Sequence, residues 1–168
     1  MVLFTLNQIA KAIEQYQNLI ETTKDFATPH FFLGEIYLKQ SLYRKSIIYF
    51  HNAIKIYNHK IRNSPVNNEI DGSREDILFK IALSLSKIGI AGDLLNDPKK
   101  AIIYNQAANT LFTKIKGFKK LGKQANLESL KLKKQLNKLL KKYQFKNLGE
   151  ASNLYKNEII KIHKIMNN

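Results

Sequence analysis

Apolar residues recur along this chain at steps of three and four, the spacing that places them on one face of an α-helix. The clearest run is 28–58, TPHFFLGEIYLKQSLYRKSIIYFHNAIKIYN. Thr28 is placed to cap a helix whose first residue is Pro29, a position where the missing proline N–H leaves no helical bond unmade. Phe32, Leu33, Ile36 and Tyr37 continue that helix. After the polar interruption Lys39-Gln40-Ser41, a second helix carries Tyr43, Ile47, Phe50, Ile54 and Tyr57. A parallel stripe of Ser46, Tyr49, Ala53 and Ile56 widens its apolar side, so burial from two directions is expected. Gly34, Ser46 and Ala53 are small among bulky neighbours and let the two backbones approach closely.

The same spacing extends in both directions. Leu6, Ile9, Ile13, Tyr16 and Ile20 predict a helix from about Leu6 to Thr22. Downstream, KIRNSPVNNEIDG (60–72) is polar and aperiodic and reads as a surface loop. Ser73 then caps a helix with Asp76 supporting its first turn, continued by Leu78, Ile81, Ala82 and Leu85. IAGDLLNDP (90–98) is expected to be a second loop. Asp97 caps and Pro98 starts a further helix with Ala101, Tyr104, Asn105, Ala108, Leu111 and Phe112. Residues 114–126 mix lysines with two glycines and predict a ragged extension or a break. Leu132, Leu136, Leu139, Leu140 and Tyr143 share a face between Leu127 and Tyr143. Asn147, with Glu150 three residues on, opens a last helix through Leu148, Ala151, Tyr155, Ile159, Ile162 and Met166.

The ordered set Leu33, Gly34, Tyr37, Ser46, Phe50 and Ala53 resembles the tetratricopeptide repeat. His30 stands where that family usually has Trp, and Asn58 where it usually has Pro. Ala12 and Tyr16 lie 34 residues before Ser46 and Phe50, the family's period, so the first helix reads as the second half of a preceding repeat. KKAIIYNQAANT (99–110) parallels RKSIIYFHNAIK (44–55), which pairs Ala101 and Ala108 with Ser46 and Ala53 and puts Asn105 at the place of Phe50. Ala82 is read as the counterpart of Gly34, and the longer spacing of this repeat is assigned to its two loops. Ala151 and Tyr155 match Ser46 and Phe50 a third time, with Glu158 in place of Ala53, a degenerate repeat suited to capping the stack. The resemblance implies a single all-α domain, a right-handed superhelical stack of antiparallel helix pairs with a repeat core over 1–112 and lysine-rich helices over 113–168.

It also implies a partner protein or peptide docked on the first helices of successive pairs, at Phe31, Glu35, Leu38, Phe79, Leu83 and Lys87. Ordinary packing between helices is the competing reading of Phe31 and Phe79. The resemblance to the subclass that grips a C-terminal carboxylate fails here, because Phe31 and Glu35 stand where that subclass uses Lys and Asn. The uncovered first helix is expected to be covered by Met1 to Leu6, by a missing upstream segment or by another copy of the protein, and self-association or a missing segment is the reading taken.

Charge changes this picture at one end. The formal net charge is +15, yet residues 1–112 hold 13 basic and 10 acidic residues, while 113–168 hold 15 lysines against Glu128, Glu150 and Glu158. Lys131, Lys134, Lys138, Lys141 and Lys142 fall opposite the apolar stripe of their helix and form an outer ridge. That ridge is either a solvated face or a surface for an anionic partner: RNA, DNA, acidic lipid or an acidic protein. A nucleic-acid-binding accessory module is therefore the alternative to a protein-interaction adaptor. Phe118, Tyr143 and Phe145 are its candidate stacking groups, and the absence of arginine from this third weakens base readout.

No catalytic constellation is visible. There is no cysteine. His30, His51, His59 and His163 are scattered without carboxylates at ligand spacing. Gly89-Ile90-Ala91-Gly92 lacks the preceding strand and following Lys-Ser of a phosphate loop and reads as a helix connection. The expectation is a non-enzymatic protein without cofactor or metal. With neither a signal peptide nor an apolar run long enough to span a bilayer, a cytoplasmic location is expected.

Overall fold

The computed structural model describes residues 2–63, 67–68, 72–117 and 120–167, and for 2–6, 67–68 and 165–167 the backbone alone. Its helices are α1 (Val2–Thr22), α2 (Ala27–Lys39), α3 (Tyr43–Asn63), α4 (Arg74–Leu94), α5 (Pro98–Ile115), α6 (Gly122–Lys142), α7 (Leu148–Leu154) and α8 (Lys156–Asn167). Two short strands, β1 (Asn67–Asn68) and β2 (Gly72–Ser73), pair antiparallel in the connection between α3 and α4. The fold is an all-α stack in which α1 through α6 each pack on the next, apart from two additional helices at the C-terminal end.

Three turns build the stack, and they share one hydrogen-bonding scheme. After α2, Ser41 N–H donates to the Leu38 carbonyl and Leu42 N–H to Tyr37, with Ser41 at φ 60°. After α4, Asn96 donates to Asp93 and Asp97 to Gly92, with Asn96 at φ 53°. After α6, Gln144 donates to Lys141 and Phe145 to Leu140, with Gln144 at φ 61°. This is the left-handed helix stop that satisfies the last carbonyls and turns the chain back. None of the three residues is glycine, so each turn is held against local preference by the packing of the helices it joins.

The α2–α3 and α4–α5 pairs correspond residue for residue at a constant offset of 55: Ala27 with Ala82, Gly34 with Gly89, Ser41 with Asn96, Tyr43 with Pro98, Phe50 with Asn105. The counterpart of Gly34 is therefore Gly89 and not Ala82, and the whole excess over the 34-residue period lies before Ala82. The expected loop at 90–98 is helical to Leu94. Glycine is needed there for close approach: a Cβ on Gly89 would lie 2.5 Å from the Asn105 amide, and one on Gly92 2.6 Å from the Lys100 Cβ. Gly34 meets the Phe50 ring in the same way, at 2.9 Å. Ala27 and Ala82 are both fully buried.

Other boundaries also move. α2 starts at Ala27 with Phe26 as its N-cap and no capping side chain, so Thr28 lies inside the first turn, with its hydroxyl 3.5 Å from the Tyr57 hydroxyl. Burial of Ala27 draws the extra turn into the core. α3 runs on to Asn63, and α6 begins at Gly122. Three caps form as read: Ser73 with Asp76 in a reciprocal box, Asp97 accepting from Lys100 N–H, and Asn147 accepting from Glu150 N–H.

The last helix is broken in two at Tyr155, whose ring stands edge-on to Phe145 at 5.7 Å. α7 packs on α5, and α8 crosses both α5 and α3, so the chain end doubles back over the second helices of the earlier pairs. Glu158, at the position of Ala53, is buried there between Lys99 at 3.5 Å and Lys161 at 3.7 Å. Beside it, the Tyr104 hydroxyl lies 3.3 Å from His51 Nε2. Burial and then the Glu158 charge push the Tyr104 hydroxyl well above the usual phenol range. Residues from α3, α5 and α8 thus fix where the last helix lies.

Candidate partner-binding face

Phe31, Glu35 and Leu38 lie at i, i+4 and i+7 on α2, one stripe of that helix. Leu83 and Lys87 begin the facing stripe on α4, which continues to Ile90 and the half-exposed Leu94. The two stripes are joined at their middle by the ion pair between Lys87 Nζ and Glu35 Oε1, 2.7 Å apart. Phe31, Leu38 and Leu83 are half-buried and rest on the core from outside. Phe31 also stands edge-on to Phe32 and Phe50, at 5.7 Å in each case. Phe79 lies inside the protein, 7% exposed and edge-on to Phe112 at 5.3 Å. One turn before Leu83 the α4 stripe has already passed into the core.

Asp93 continues this face toward α6. Its carboxylate accepts from Lys142 Nζ at 2.6 Å and from the Tyr143 hydroxyl at 2.9 Å. Lys142, read as part of the outer ridge, is therefore turned toward α4, and the Asp93 hydrogen bond raises its pKa. Lys131 is paired with Glu128 at 2.8 Å, while Lys134, Lys138 and Lys141 are exposed. Phe118 lies outside the described residues. Phe145 and Tyr143 are half-buried, Phe145 against Tyr155.

A further ion pair ties the start of α4 to the connection that precedes α6. Lys120 reaches the Asp76 carboxylate at 3.0 Å, where burial disfavours the charge but bonds from Ser73 and Lys120 outweigh it and hold the group below the usual range. Asp97 is lowered against the same penalty by its bonds from Lys100. Sequence reasoning did not find Asp93 or Ile90. The left-handed turns were the available signal, because aligning Ser41 with Asn96 places Leu38 at Asp93 and Glu35 at Ile90.

His30 is buried against the Tyr49 ring, and its Nδ1 has no hydrogen-bond partner. It borders a shallow depression with Asp25, Asn52, Lys55 and His59. Among the described residues, no group of three or more His, Cys, Asp or Glu side chains is placed to hold a metal, and no helix is long and apolar enough to cross a membrane. α1 rests on α2, with Tyr16 stacked on Phe32 at 5.6 Å. Beside that contact, Tyr16 also borders a shallow depression with Ala12, Gln15, Asn18 and Leu19.

A family model described as TPR repeat, the tetratricopeptide repeat, matches residues 2–41. No curated protein and no solved structure gives a significant match to the chain. The matched segment covers α1 and α2.

Proposed function

We propose that this chain, which carries a tetratricopeptide repeat over residues 2–41, is a non-enzymatic interaction module that takes a segment of a partner protein along its first-helix face. Repeats of this family generally mediate protein–protein contacts. The observation that carries the reading is the pair of stripes on α2 and α4, bound together by Glu35 and Lys87, with Phe31, Leu38, Leu83 and Ile90 only half-covered. Half-buried apolar side chains on rigid helices are ready anchors, because their rotamers are already restricted before a partner arrives. The Glu35–Lys87 pair lies among them, so the matching segment is apolar with a polar group near its centre.

The test is affinity capture followed by mass spectrometry, comparing the wild-type chain with Phe31→Ala, Ile90→Glu and a control at Lys138→Glu. Proteins retained by wild type and control but lost from both face variants support the reading. An identical retained set for all four sinks it.

A further inference from the structure

The outward side of α6 carries a second surface, distinct from the first-helix face. α6 buries Ala125, Leu132, Leu136 and Leu139 against the rest of the protein. Opposite them, Lys123, Leu127, Leu130, Lys134, Lys138 and Lys141 follow one another at steps of four, three, four, four and three, one line along the helix. At 1.5 Å per residue, the line from Lys123 to Lys141 is about 27 Å long. Leu127 and Leu130 are 52% and 50% exposed, whereas Leu132 and Leu136 on the buried side are 3% and 5%. Glu128 is the single acid of the helix, and Lys131 engages it. No acid stands on the outward line.

We propose that this line docks α6 flat on an anionic lipid bilayer. Lysines in a row meet the negative surface of the bilayer, and the two protruding leucines enter the boundary between headgroups and acyl chains. A nucleic acid shares the charge but not the rest of the chemistry: the line has no arginine for forked phosphate contacts and no aromatic ring for stacking on bases. Leucines facing a phosphodiester backbone would remain unburied. With two leucines in place of a continuous apolar face, attachment depends on charge and weakens as salt screens it.

The experiment is flotation of the full chain with phosphatidylcholine vesicles, with and without phosphatidylserine, at low and high salt. The wild-type chain is expected to float with the anionic vesicles at low salt and to remain behind with the neutral ones. Leu127→Ser with Leu130→Ser should reduce partitioning roughly tenfold, since two half-exposed leucines lose their burial on docking. Lys134→Glu with Lys138→Glu should abolish it. These positions point away from the core, and an unchanged helical circular dichroism spectrum and melting midpoint confirm that the variants fold. Failure to float with anionic vesicles at low salt overturns the proposal, as does flotation indifferent to the leucine substitutions. Tighter, leucine-independent binding to a short single-stranded oligonucleotide overturns it in favour of a nucleic-acid surface.

Discussion

The α2–α3 and α4–α5 pairs share one geometry and differ at its centre. In the first, Gly34 is covered by the ring of Phe50, which is fully buried. In the second, Gly89 is covered by Asn105, whose Nδ2 donates to the Ala101 carbonyl one turn back at 2.7 Å while its Oδ1 is buried without a partner. An aromatic ring and an amide thus serve at the same contact, and the turn that follows the first helix keeps every hydrogen bond. The helix stop and the small residue define this hairpin, and the side chain that fills the contact can change. Filling with an amide has a cost, because one buried acceptor is left without a bond.

The largest effect should come from removing the filler. Phe50→Ala is expected to cost about 3–5 kcal/mol, since a fully buried ring leaves a cavity its rigid neighbours cannot close. Asn105→Ala should cost no more than about 1 kcal/mol, because the lost hydrogen bond is offset by removal of the unsatisfied oxygen. Urea unfolding midpoints compare the two, and equal losses would show that the pairs are not packed on the same principle. Next come the glycines. Gly92→Ala presses a methyl group toward the Ala101 backbone nitrogen, 2.8 Å away, and is expected to cost about 1–3 kcal/mol. Gly34→Ala meets side-chain ring atoms of Phe50 at 2.9 Å and no backbone atom among its nearest contacts, so its loss should be the smaller.

The turns sharpen the comparison with the third pair. Ser41, Asn96 and Gln144 hold equivalent left-handed positions, and glycine adopts that conformation without strain. Ser41→Gly and Gln144→Gly should each stabilise the protein by about 1 kcal/mol, and Asn96→Gly by less, since asparagine tolerates this region better. Thermal melts of the three single variants give the order. A destabilised Gln144→Gly would mean that its side chain, and not the turn, secures α6 to α7.

Much of this was legible in the sequence. Helical spacing predicted the main helices, and the Ser73, Asp97 and Asn147 caps formed where their side chains called for them. The errors have physical causes. Gly89 and Gly92 read as loop residues because local preference sees a flexible backbone, whereas their role is to admit Asn105 and the start of α5. Misplacing that segment displaced the repeat register by seven residues, two turns along the same side of α4, which put the buried Phe79 on the face and left Ile90 and Asp93 off it. The break at Tyr155 and the crossing of α8 over α3 depend on Phe145, His51, Tyr104 and Glu158, contacts between distant segments that no local pattern announces.

The smallest predicted difference between the pairs appears on acidification. At the 55-residue offset, His30 corresponds to Leu85 and His51 to Gln106, so the titrating imidazoles belong to the first pair alone. Burial lowers the pKa of His30 from the ordinary 6.5. It also lowers that of His51, where the Glu158 carboxylate opposes the shift and Lys100 adds to it. Both side chains are thus favoured neutral in the folded protein, and the unfolded chain takes up protons first as pH drops below about 6.5. Their contribution to stability is complete above that value and is lost as pH falls through the lower folded values. Amide hydrogen exchange at neutral and mildly acidic pH should therefore show protection falling further in α2 and α3 than in α4 and α5. His51→Gln, which copies the counterpart residue, should narrow that gap, and equal loss in both pairs, with no change in the variant, would remove the imidazoles as its cause.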